Sequence, residues 1–190
     1  MIVLATNSQR RIKMFRELKW NFIAVDHQFD ESNVNTNTDP SKYCIKIAEG
    51  KSKSISKDYF KKNIVGSDTI VFFENKIIGK PSNKIEAKKT LEKLSGNIHN
   101  VYTGVSVINI EKKLNINFYC RTEVEFWKLH PKMIDDYLNQ KTFSDKAGGY
   151  SIQGSSKLFI KSINGCHENA LGFPLSLFYK KINTIGINLI

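Results

Sequence analysis

Between Asn63 and Phe73 the chain reads Asn-Ile-Val-Gly-Ser-Asp-Thr-Ile-Val-Phe-Phe, a nearly continuous apolar run after Asn63, interrupted by small and polar residues at its centre. Such a run reads as a central strand buried on both faces, and its sheet needs a layer on each side. The rest of the chain supplies those layers. Ile2 to Thr6 is a short buried strand, and a helix with an apolar stripe at Ile12, Phe15 and Leu18 follows it, ending near Trp20 and Asn21. Phe22 to Val25 is a second strand. Asp39-Pro40 opens a second helix, with a cap residue before a proline in the first turn, and Tyr43, Cys44, Ile47, Ala48 and Ile55 form its buried side. Lys51 falls on or beside that side.

After the central strand, Glu74-Asn75-Lys76 turns the chain into Ile77-Ile78, and a helix capped by Ser82 or Asn83 runs until Gly96. Two long strands, Val101 to Ile110 and Leu114 to Trp127, make a hairpin. A short helix from Pro131 to Asn139, a glycine-containing loop from Asp145 to Tyr150, a strand from Leu158 to Ile163 and a helix from Pro174 to Ile182 complete the pattern. Early strand and helix alternation with a later hairpin predicts an α/β fold whose mixed, twisted sheet is flanked by helices beside a cleft. At 190 residues the chain fits a single domain over 1–190, or two small lobes sharing one sheet.

The net charge of +11 invites a nucleic-acid partner, but composition argues against one. Of the 29 basic residues only four are arginines, Arg10, Arg11, Arg16 and Arg121, and the lysines are spread along the chain. Many Lys, Asn and Ile residues together look like a composition bias, so a solvated basic surface is expected and no stable nucleic-acid complex. Cys44, Cys120 and Cys166 form no CxxC pair, so they read as ordinary thiols of a reducing compartment. No apolar run approaches a membrane span or a signal segment, which predicts a soluble, cytoplasmic protein with no membrane partner.

Several residues are placed where chemistry could use them. Ser8-Gln9-Arg10-Arg11 lies at a strand-to-helix turn, where free backbone N–H groups and the helix dipole favour an anion. The other reading is a helix cap followed by exposed basic residues. Tandem arginines oppose the helix dipole unless an anion compensates, which favours binding. Asp68 sits inside the apolar strand, where an unpaired carboxylate costs several kcal/mol, so a metal, a base or a substrate should partner it. Gly66 would let that partner come close. Asp30-Glu31 could supply the second carboxylate for a hard divalent cation, and Lys80 is restrained between Gly79 and Pro81. His27, His99, His130 and His167 show no ligand spacing, and none is assigned to catalysis.

In order and spacing these pieces resemble the Maf family over nearly the whole chain. The resemblance is carried by Leu4-Ala5-Thr6 with Ser8 to Arg11, Asp30-Glu31, Ala48 with Lys51, Gly66-Ser67-Asp68-Thr69, Gly79-Lys80-Pro81, Leu94-Ser95-Gly96 with His99, Thr103-Gly104, and Asp145-Lys146-Ala147-Gly148. Departures are Gln9 where proline is usual, Ser67 where alanine is usual, Gly149 where alanine is common, and Phe173 in place of leucine before Pro174. None removes a polar group from the expected site.

The resemblance implies a fold related to inosine triphosphate pyrophosphatases, a homodimer, a divalent metal (Mg or Mn), and hydrolysis of a nucleoside triphosphate between its α and β phosphates. It implies Asp68 as general base, with Glu31 helping to hold metal or water. Arg10, Arg11, Lys51 and Lys80 would neutralise the triphosphate, with Ser8 and Thr69 beside them. Tyr150-Ser151-Ile152-Gln153-Gly154 resembles the subgroup acting on dTTP and UTP. Gln153 suits that role chemically, because one amide can match both the N3 donor and the O4 acceptor of uracil or thymine. A flipped amide could accept cytosine, so CTP stays open. From a different class, a nucleic-acid-binding or septum-related regulatory protein would account for the charge but not for Asp68.

Overall fold

The computed structural model describes residues 1–189. Its strands are β1 (Ile2–Ala5), β2 (Phe22–Val25), β3 (Asn63–Phe73), β4 (Lys76–Ile78), β5 (Ile98–Asn109), β6 (Leu114–Phe126) and β7 (Ile160–Asn164). Its helices are α1 (Gln9–Glu17), α2 (Pro40–Ser54), α3 (Lys84–Leu94), α4 (Pro131–Asn139), α5 (His167–Leu171) and α6 (Leu175–Asn183). All strands join one mixed sheet in the order β2-β1-β3-β5-β6-β7, with β4 beside β3. β1 runs parallel to both its neighbours, β2 and β3, and the remaining pairs are antiparallel.

The period of two along β3 sends alternate residues to opposite faces, and each face has its own helices. On one face Val65 joins a core with Leu4, Phe15 of α1 and Phe178 of α6. Six residues on, Val71 joins a different core with Leu91 and Leu94 of α3 and Leu138 of α4. Ser67 and Thr69 lie on this face between the two cores, and Asp68, one residue out of phase, turns to the opposite face, toward Lys51 of α2.

The other face is covered by α2, capped by Asp39, whose Oδ1 accepts from the backbone N–H groups of Ser41 and Lys42 at 2.9 and 3.1 Å. Contact is very close because two glycines lie beneath the helix. A Cβ on Gly66 would stand 2.1 Å from the Ala48 carbonyl oxygen, and one on Gly104 would stand 2.3 Å from the backbone of Cys44. Only a residue without a side chain permits this approach.

Some elements differ from sequence expectation. The strand expected from Leu158 begins only at Ile160, because Gly154–Phe159 forms a 3-10 turn that starts at a glycine with φ of 70° and buries Phe159. Helix α5 is five residues long, too short to show a period, and was not expected. β5 starts three residues before Val101, at Ile98. The three cysteines are free. Burial, and next the neighbouring Cys166, push the Cys120 thiol up to about 11, so it is an unreactive thiol.

His99 has a structural bond. It is fully buried, its Nε2 lies 2.6 Å from the Tyr150 hydroxyl, and its ring meets Phe126 edge-on. Burial lowers its pKa from 6.5 to about 4. The native state therefore holds this ring neutral, and stability is full above pH 6.5 and falls as the pH drops toward 4, where the unfolded chain binds the proton first. We expect acid unfolding to take roughly 3 kcal/mol from stability across that window, and His99→Gln to flatten the curve in urea titrations between pH 7 and 4. An unchanged slope would remove His99 from the acid response.

Candidate active site

β1 pairs with β3 only as far as Ala5 opposite Gly66, and β4 pairs with β3 only from Val71 onward. Residues 67 to 70 of β3 therefore have no strand neighbour on that edge among the described residues. The chain leaves β1 through α1 on one face and returns to β3 through α2 on the other. A gap at the carboxyl end of β1, where the crossovers part, is where open α/β sheets place ligands. Here it opens into a cleft of about 400 Å³.

Asp68, 8% exposed, borders the gap on the α2 side. Lys51 of α2, 5% exposed, places its Nζ 2.9 Å from Asp68 Oδ1 and 2.9 Å from Glu31 Oε1. A buried ammonium is tolerated only when paired, and here two carboxylates pair it. Glu31 comes from a 3-10 turn, Glu31–Asn33, shaped by Asp30, whose Oδ1 accepts from the Ser32 N–H at 2.9 Å. The sequence thus names both carboxylates and Lys51, but not that Lys51 bridges the two. Lys51 has three N–H donors, of which these two bonds leave one for a ligand.

On the opposite side, α1 begins at the cleft. Ser8 is its N-cap, and its side chain makes no capping bond, while no acidic residue sits in the first turn. Arg11 donates from Nε to the Gly172 carbonyl at 2.9 Å and from Nη2 to the Thr69 hydroxyl at 2.9 Å. Burial lowers its pKa and the field of Asp68 raises it again; an arginine stays charged through such a shift. Arg10 donates to the Asp145 carbonyl at 2.9 Å. Lys80 is exposed at the rim and makes no bond with the described residues. The cleft lining holds four cations, Arg10, Arg11, Lys51 and Lys80, against three carboxylates, Glu31, Asp68 and Asp145. An anion is the ligand that this balance selects.

All eight expected residues other than Gln153 thus reach one cleft: Ser8, Arg10, Arg11, Glu31, Lys51, Asp68, Thr69 and Lys80. Gln153 does not line it. Its exposed side chain borders an adjoining hollow of about 280 Å³ that shares Arg10 and Leu171 with the cleft. His27, which sequence reasoning left out, does line the cleft. Its Nε2 is 3.9 Å from Glu31 Oε1, its Nδ1 is buried without a partner, and burial, then Lys51, lower its pKa. Nothing in the polar stretch around it signals this.

The chain shares its fold with solved structures. It is similar to the structure of the Staphylococcus aureus Ham1 protein, with a TM-score of 0.55, 16% identity, and 97% of this chain and 98% of that one covered. It is also similar to a nucleoside-triphosphatase / dITP/XTP pyrophosphatase from Mycobacterium abscessus, with a TM-score of 0.50, 10% identity, and 98% and 99% covered. At such identities only the fold is shared. The family is shown by sequence: the model for Maf-like protein matches residues 1–185, and the chain belongs to the Maf family. Relatives include a dTTP/UTP pyrophosphatase of Clostridium botulinum (strain Okra / Type B1), 38% identical over 191 residues with 99% of this chain and 98% of that protein covered. A protein of the same description from Clostridium kluyveri is 37% identical over 190 residues, with 99% of each covered.

Proposed function

We propose that this Maf-family chain is a nucleoside triphosphate pyrophosphatase that hydrolyses dTTP and UTP to the monophosphate and pyrophosphate, with CTP or modified pyrimidine nucleotides as further substrates. The observation that carries the reading is the Glu31–Lys51–Asp68 cluster, with Lys51 and Asp68 buried, which shares one cleft with Arg11 and Lys80. The curated relatives carry the same activity in their description. A nucleic-acid-binding or septum-related regulatory role is not favoured, because the cations that matter gather in a cleft beside a buried carboxylate. No helix among the described residues is long and apolar enough to cross a membrane. A cytoplasmic location and a homodimer belong to the same proposal.

In this mechanism the triphosphate lies along the α1 N-terminus, with Arg10, Arg11 and Lys80 on its oxygens and Lys51 giving its remaining N–H to phosphate. Thr69 holds Arg11, and Ser8 offers a hydroxyl and a backbone donor. Asp68 Oδ1 is held by Lys51, which leaves Oδ2 to take the proton from the attacking water. Water attack breaks the α–β anhydride, and the cations stabilise the charge that develops on the phosphate oxygens. Glu31 and Asp68 already converge on one cation, and with their hard oxygens they would be the residues to hold magnesium or manganese. Among the described residues no group of three or more His, Cys, Asp or Glu side chains is placed to hold a metal ion. When bound, the metal would supply charge stabilisation on the phosphates and lower the pKa of a bound water.

A screen of nucleotides with magnesium or manganese, reading released pyrophosphate, tests the reading; no release from dTTP, UTP or CTP would refute it. Within it, Arg11→Ala and Lys80→Ala should each raise KM for UTP roughly tenfold, with the exposed Lys80 at the lower end, since each loses one charge-assisted contact. Unchanged kinetics in both would move the phosphate site elsewhere.

Base selection is proposed for Gln153, whose side-chain amide makes no bond with the described residues and stands beside Arg10 in the adjoining hollow. Gln153→Glu opposes an acceptor to O4, so turnover of UTP should fall about tenfold. The UTP to GTP ratio of kcat/KM is the quantity to follow. An unaltered ratio in the folded variant would show that Gln153 does not read the base.

A further inference from the structure

Thr103-Gly104 matched a family motif, and only its glycine has been accounted for. Thr103 is fully buried and lies directly across from Thr69 in the β3–β5 register. Their hydroxyl oxygens are 2.9 Å apart. Thr69 Oγ1 accepts from Arg11 Nη2 and donates its only hydrogen to the Gly172 carbonyl at 3.1 Å. With Thr69 donating to Gly172, the proton between the two threonines comes from Thr103, whose other acceptor, the Asn169 carbonyl, is farther away at 3.5 Å. Gly172, whose φ of 121° suits glycine alone, thus receives both Thr69 and Arg11 Nε.

Gly172 is itself fixed from below. Asn169 of α5 is fully buried, and its Nδ2 donates to the Val101 carbonyl at 3.1 Å and to Thr122 Oγ1 at 3.0 Å. The Gly172 N–H returns to the Asn169 carbonyl at 2.9 Å. Asn169 Oδ1 is buried without a partner. A buried amide with an unfilled acceptor is a poor way to stabilise a core, so its donors must matter for what they hold in place.

We propose that Thr103 and Asn169 are positioning residues for Arg11: together they fix the Thr69 hydroxyl and the Gly172 carbonyl that aim the guanidinium's remaining donors into the cleft. The proposal rests on the phosphate-binding role of Arg11. It assigns two residues on the far side of β3 to substrate grip, through a chain of hydrogen bonds that ends on Arg11.

The test is a double-mutant cycle read by calorimetric binding of inorganic tripolyphosphate and by KM for UTP. Thr103→Val keeps shape and removes the donor, and should weaken both by about fivefold, while Thr103→Ser should stay near wild type. In the Arg11→Ala background Thr103→Val should have no further effect. Asn169→Leu, read in the same cycle, should show the same dependence and serves where Thr103→Val disturbs folding. Wild-type binding in the valine and leucine variants, or an equal loss with and without Arg11, overturns the proposal. Failure of the functional reading shows separately, as wild-type protein that grips tripolyphosphate yet releases no pyrophosphate from any nucleotide.

Discussion

Asp68→Asn should leave a folded protein whose turnover of dTTP and UTP is lower by about 10²- to 10⁴-fold, the range that loss of a general base produces. The fold should survive because Lys51 keeps its bond to Glu31 at 2.9 Å, and an asparagine oxygen can still accept from the same ammonium. What disappears is the basic oxygen facing the water and half of the charge that would hold a metal. KM for UTP should change far less than kcat, since the phosphate-binding cations are untouched. Thermal melting and steady-state kinetics on one preparation decide the matter: activity near wild type in the folded variant would take Asp68 out of the chemistry.

Gly66→Ala should produce a large loss of stability for a single added methyl group. The new Cβ would meet the Ala48 carbonyl oxygen at 2.1 Å and the Ser52 nitrogen at 2.8 Å, both of them helix backbone that cannot swing aside. Overpacking of this kind costs about 1–3 kcal/mol where side chains can yield, and more where backbone must move. Relief requires α2 to lift from β3, which draws Lys51 away from Asp68, so activity should fall along with stability. Gly79→Ala is the control, because a Cβ there meets nothing within 4 Å. Urea midpoints for the two variants should differ widely; equal midpoints would mean that α2 does not rest on Gly66.

The course of the chain was legible where periodicity is strong. Asn63 to Phe73 reads as a strand and is one, with the same bounds, because β-branched and aromatic residues fill both buried faces. The acid inside it signalled a site for the same reason, since nothing apolar explains Asp68. The start of α2 followed from Asp39 as a cap residue before Pro40, and α4 has its expected bounds, Pro131–Asn139. What stayed hidden depends on contacts distant in sequence. Lys51 could be placed near the buried side of its helix, but its position between Glu31 and Asp68 arises only when α2 settles onto Gly66 and Gly104. His27 lies in a polar stretch with no pattern, and α5 is too short to show one. Gln153 was read from a local motif, and only the folded chain shows that it borders a separate hollow, with Arg10 shared between the two.

The central claim is that the cleft at the open edge of β3 grips a nucleoside triphosphate and breaks its α–β anhydride. Phosphorus NMR of the products from UTP, with magnesium and wild-type protein, tests it most directly. The account predicts UMP and pyrophosphate in equal amounts, both formed at least about 10²-fold more slowly by Asp68→Asn. UDP and orthophosphate as the products, or unchanged UTP, would contradict it.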